Sequence, residues 1–130
     1  MKSLLPPGWP RPKGYANGIS ASGRTIFTAG VVGWDEQERF AADTLPAQVA
    51  QALRNIVAIL AQDGAGPEHL ARLTCYVTSI DSYLAGLAEI GAAWKAIIGP
   101  HYPAMALVEV TRLVEPQALV EIEATAVVPE

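Results

Sequence analysis

Apolar residues recur along this chain at two spacings, one helical and one alternating. In "DTLPAQVAQALRNIVAILAQDGAG", Val49, Leu53, Ile56, Val57 and Leu60 fall on one face of a helix. Asp43 or Thr44 can cap its start, Pro46 suits its first turn and Gly64 can end it. A second helical stripe, Leu84, Leu87, Ile90, Trp94 and Ile97, runs through "DSYLAGLAEIGAAWKAIIGP", with Asp81 as a cap and Gly99–Pro100 as a stop. Between them "HLARLTCYVTSI" has the β-branched and aromatic content of a strand. Upstream, "YANGIS" and "TIFTAGVV" are strand-like and separated by the turn signal Ser22–Gly23, which predicts an N-terminal hairpin. Residues 1–14, rich in Pro and Gly, predict an irregular arm.

Two alternating runs, "AMALVEVTRL" and "LVEIEATAVV", close the pattern. In the last, Val120, Ile122, Ala124, Ala126 and Val128 point one way while Glu121, Glu123 and Thr125 point the other. In the preceding run Ala106, Val108 and Val110 share one face and Met105, Leu107, Glu109 and Thr111 share the other. Each helix has a single stripe, so both can cover one purely apolar face of a sheet. The order β-β-α-β-α-β-β makes this an α+β layer pair in one domain spanning residues 1–130. Taking Ala106 and Val108 as helix-covered leaves Met105, Leu107 and Glu121 together on the other face. That mixture is too apolar for water and too charged for a core, and it predicts a face that packs on other copies and leaves a pocket.

Composition sharpens the expectation of assembly. The chain is 51% hydrophobic and 17% charged over 130 residues, more apolar surface than a small globule can hide alone. The net charge of −4, with no Lys/Arg cluster, disfavours nucleic-acid partners. No apolar run approaches the roughly 20 residues of a membrane span, and prolines interrupt the N-terminus where a signal peptide needs an unbroken apolar core. A lone cysteine, Cys75, excludes an internal disulfide and suits a cytoplasmic setting. His69 and His101 stand far apart with no ligand spacing around them, so neither a metal nor another cofactor is expected.

In order and spacing, "KGYANGI", "IFTAGVVGWD", "QALRNIVAIL", "CYVTSID", "YPAMALVEVTRL" and "VEIEATAVV" resemble the RidA family, also called YjgF or L-PSP, over about Tyr15 to Val128. The resemblance implies a chorismate-mutase-like fold, a single mixed sheet with two helices on one face, assembled as a homotrimer with small-molecule clefts between subunits. It implies hydrolysis of enamines or imines such as 2-aminoacrylate to a keto acid and ammonia. Three positions depart from the family pattern: Met105 stands where the carboxylate-binding arginine is expected, Ala29 where a serine is expected, and Gly91 where an asparagine is usual. Methionine has no planar fork with which to clamp a carboxylate.

Of the residues that remain, Glu121 is the candidate catalytic group, since imine hydrolysis needs a carboxylate that can move the proton of an attacking water. Its bland alternative is a solvated strand glutamate or a partner for Arg112. Tyr15, Ala29, Gly30, Met105 and Leu107 are the candidate ligand-binding residues. Tyr15 offers a hydroxyl, Ala29 and Gly30 allow backbone N–H groups to meet a ligand oxygen, and Gly30 equally suits a strand bulge. Met105 and Leu107 make an apolar floor. Two functions follow: a deaminase of altered specificity, or a non-catalytic trimer that binds a small ligand in the same clefts.

Overall fold

The computed structural model describes residues 1–130. Short strands β1 (Lys2–Ser3) and β2 (Ile19–Ser20) pair with each other, apart from the main sheet. The main sheet comprises β3 (Arg24–Phe27), β4 (Val31–Val32), β5 (Leu70–Val77), β6 (Ala104–Glu109) and β7 (Val120–Val128). Three helices, α1 (Leu45–Ala61), α2 (Ile80–Ala85) and α3 (Leu87–Ile97), complete the chain with a 3-10 turn over Pro67–His69. The strand order is β3-β7-β5-β6, with β4 following β3 along the same edge of β7. β5 and β6 run parallel, the arrangement that the α2–α3 crossover between them permits.

The buried set defines one covered face. Leu73, Cys75 and Val77 of β5 lie beside Ala124, Ile122 and Val120 of β7, and all six are buried. Against them α1 places Val49, Leu53, Ile56 and Leu60, the stripe expected from its spacing. Each such side chain contributes roughly 1.5–3 kcal/mol by leaving water. Thr44 caps α1, its hydroxyl accepting from the Ala47 N–H at 3.3 Å. Gln48 is the one buried polar residue. Its amide donates to the carbonyls of Ala42 and Gln117 and accepts from Leu119 N–H at 2.7 Å, tying the loops before α1 and β7 together.

Several expectations change. The N-terminal hairpin does not form: β2 pairs with β1, and β3 pairs with β7 instead. The arm is therefore not wholly irregular. The second helical segment is broken at Gly86, where a β-carbon would stand 2.6 Å from Pro46 Cγ; the helices approach too closely there for any side chain. Ser79, not Asp81, caps α2, accepting from Ser82 N–H at 3.1 Å. Leu84 and Leu87 are 56% and 49% exposed, and α3 buries only Ile90 fully.

The last change concerns β6. Its register against β5 pairs Met105 with Leu73 and Leu107 with Cys75, so Met105 and Leu107 lie on the helix-covered face. Glu121 pairs with Tyr76 on the opposite, helix-free face. The expectation that Met105 and Leu107 share Glu121's face is thus incorrect, and the face they were expected to offer to other copies is turned inward. Glu109 explains the misleading pattern. It ends β6 on the helix side, where its Oε1 accepts the Ile80 N–H at 3.0 Å at the start of α2, a position that favours a carboxylate.

Candidate functional site

The residues singled out in the sequence fall into two groups on opposite faces of the sheet. On the helix side, a cavity of about 470 Å³ lies between α3 and the sheet. Met105 and Leu107 floor it, and Tyr15 and Gly91 also line it. Tyr15 is placed by backbone pairing: Ala16 bridges Ala104 in parallel, and its N–H donates to the Pro103 carbonyl at 2.9 Å. The preceding Gly14 has φ +81°, a turn that glycine adopts without penalty and that carries Lys13 onto the cavity wall. Trp94 and Tyr102 stack at 6.2 Å and 15° along another wall, with Trp94 Nε1 donating to the His101 carbonyl at 3.2 Å. Gly91 has no atom within 4 Å of where a β-carbon would stand, so this wall is open where a side chain would narrow it.

The second group sits on the helix-free side. Thr28 faces Ala124 and Val31 faces Ile122, so Ala29 and Gly30 together stand opposite the single residue Glu123. This is a β-bulge, and it separates β3 from β4. Thr28 anchors it, its hydroxyl accepting from Ala124 N–H at 3.0 Å and donating to the Ala29 carbonyl at 2.8 Å. The N–H groups of Ala29 and Gly30 are taken by no hydrogen bond within the chain. The Glu121 carboxylate lies against Gly30, whose β-position would be 2.7 Å from Cδ and Oε2. Neither of the chain's ion pairs, Arg24–Asp63 and Glu68–His69, involves Glu121, so the suggested pairing with Arg112 is not made. Such a carboxylate can hold and deprotonate a water, and the free N–H donors can bind an oxygen that gains charge.

Nearby on that face, Tyr76 donates to Glu123 Oε1 at 2.8 Å, and this bond, with lesser burial, holds the phenol above its ordinary range. Cys75 opens onto the helix-side cavity, and burial pushes its thiol up to about 12. It is therefore a poor nucleophile. His69 accepts the Gly66 N–H at 3.0 Å and holds a turn. No three His, Cys, Asp or Glu side chains converge, and no helix is long and apolar enough to cross a membrane.

Comparison with known proteins agrees with the fold. A family profile described as Endoribonuclease L-PSP matches residues 10–128. The chain belongs to the RidA/YjgF (L-PSP) family. A RutC family protein of Synechocystis is 31% identical over 99% of this chain and 98% of the relative. The 2-iminobutanoate/2-iminopropanoate deaminase of Salmonella typhimurium is 29% identical over 87% of this chain and 86% of its own. The crystal structure of a Rid-family protein of unknown function from Yersinia pestis superposes with TM-score 0.83 at 32% identity, covering 98% of both chains. The YjgF protein of E. coli superposes with TM-score 0.68 at 27% identity, again over 98% of both. The α+β architecture of one main sheet and few helices is thus that of the Rid family.

Within this Rid-family frame, sequence reasoning missed Lys13, Leu87 and Tyr102, which line the cavity with Tyr15. Lys13 and Tyr15 flank Gly14 and so face one opening, a signal that was present in the local spacing. Tyr102 follows a helix stop, and only the stacking on Trp94 gives it a role.

Proposed function

We propose that this Rid-family protein hydrolyses an enamine or imine to a carbonyl compound and ammonia, with a specificity altered by Met105. Water adds to the imine carbon and gives one proton to nitrogen, forming a carbinolamine. Its hydroxyl proton then passes to nitrogen as the C–N bond breaks, leaving the carbonyl compound and ammonia. Glu121 is the group that moves these protons, and the Ala29 and Gly30 N–H groups hold the oxygen as it gains charge. The observation that carries this reading is the contact between Glu121 and Gly30 at a bulge with two unpartnered N–H donors. The likeness to the 2-iminobutanoate/2-iminopropanoate deaminase of Salmonella typhimurium supports it.

Glu121 and the cavity lined by Tyr15 and Met105 lie on opposite faces of one chain. The reading therefore uses a homotrimer in which the Glu121 group of one subunit meets the Tyr15–Met105 cavity of a neighbour, so that the ligand lies at the subunit interface. Exposed Phe27 and Val108, on the helix-free face, favour such assembly. A cytoplasmic setting suits the single free cysteine. No cofactor enters this chemistry.

Ammonia release measured across several imines, on wild type and on Glu121→Gln, tests the proposal. Hydrolysis lost in Glu121→Gln is the expected result; undiminished hydrolysis makes Glu121 structural. A second reading, a non-catalytic trimer that binds a small ligand in the same clefts, is favoured by Met105, Ala29 and Gly91 at the three positions where the family pattern is polar. It predicts ligand binding with no ammonia released from any imine.

A further inference from the structure

The helix-side cavity has a composition that restricts its ligand. Of its 17 lining residues 14 are hydrophobic, and Lys13 is the only charged one. The apolar part runs deep, from Leu87 and Gly91 on α3 inward to Leu53 of α1 and Ile122 of β7. A volume of about 470 Å³ is in the range of small-molecule sites, which bury an apolar body and fix it with a few polar groups. Lys13 has no carboxylate within ion-pairing distance, so its ammonium is free for a ligand. Tyr15, 44% exposed, stands two residues away on the same opening.

We infer that this cavity binds a monocarboxylate with a bulky apolar body, the carboxylate at Lys13 and the body beneath α3. In the absence of an arginine at position 105, the anion is held at the cavity wall rather than on its floor. The apolar floor of Met105 and Leu107 then receives the part of the ligand that a short substrate such as 2-aminoacrylate lacks. This deepens the deaminase reading by naming its substrate class: imines of amino acids with large apolar side chains.

Calorimetric titration of the full chain with phenylbutyrate, phenylbutanol and propionate tests it without requiring turnover. Phenylbutyrate should bind most tightly, with propionate weaker by about thirtyfold or more for want of the apolar body. Lys13→Gln should weaken phenylbutyrate roughly three- to tenfold and leave phenylbutanol unchanged, because an exposed ion pair is worth little. Gly91→Phe, at a position with open space around it, should abolish binding without unfolding the chain. Equal binding of phenylbutanol and phenylbutyrate, no effect of Lys13→Gln, indifference to Gly91→Phe, or no binding by wild type would each overturn the inference. If phenylbutyrate binds as expected and no imine is hydrolysed, the deaminase reading falls and this one stands. If imines are hydrolysed while phenylbutyrate neither binds nor inhibits, the reverse holds.

Discussion

Gly30 leaves room for the Glu121 carboxylate: a β-carbon on Gly30 would stand 2.7 Å from Glu121 Cδ, closer than real contacts allow. The colliding atoms are the far end of a flexible side chain, so the carboxylate would swing aside and the backbone would stay. Gly30→Ala should therefore cost little stability but lower ammonia release by at least about tenfold, a part of what a positioned acid–base group supplies. Thermal melting and steady-state kinetics on the same preparation separate the two effects. A variant with full activity would show that the position of Glu121 is immaterial.

On the proposed deaminase reading, Met105→Arg should supply the carboxylate-clamping fork that methionine lacks. Each charge-assisted hydrogen bond to a substrate carboxylate is worth about 1.5–3 kcal/mol, so kcat/KM on 2-aminoacrylate should rise roughly tenfold or more. The same substitution fills part of the apolar floor, so imines with large apolar groups should lose activity. Competition kinetics with a short and a bulky imine read the crossover directly.

Gln48→Leu should destabilise the fold by about 2–3 kcal/mol, because it strands the Leu119 N–H and two carbonyls that the amide satisfies. Denaturant titration gives the value. Isosteric Gln48→Glu is no rescue, since it replaces the two amide donations with a buried charge.

Cys75 should be silent toward thiol reagents in the native protein at pH 8 and give one equivalent after unfolding. Its folded pKa, about 12, lies above the ordinary 9.0, so the native state binds more protons than the unfolded one in between. The stabilisation is complete below pH 9 and is lost as pH rises toward 12, at about 1.4 kcal/mol per unit. Equilibrium unfolding at pH 8, 9 and 10 checks the sign.

The sequence carried the parts of the fold that repeat. Five apolar positions in α1 and the alternation of β7 point where the structure puts them, because burial acts on every turn and every second residue. β6 was ambiguous for a physical reason: Ala106 and Val108 on one face and Met105 and Leu107 on the other are both apolar, so pattern alone cannot set the register. Glu109 tipped the choice wrongly, since its carboxylate serves the end of a helix that only the tertiary fold brings near. In the candidate site, Gly30 and Glu121 are 91 positions apart in the chain and their contact depends on a one-residue bulge. Lys13 is legible only through its spacing from Tyr15 across Gly14, because the rest of the N-terminal stretch has no periodicity.

The strap from Lys13 to Ala16 also bears on how these chains avoid one another. β6 is an outer strand, and its free N–H and C=O groups would otherwise be a template for any passing extended segment. By donating the Ala16 N–H to Pro103 and bridging Ala104, the chain occupies the start of that edge with its own backbone. A deletion that removes the chain through Ala16 would leave this border bare, and the first symptom expected is fibrillar or sheet-rich aggregation rather than loss of the helices.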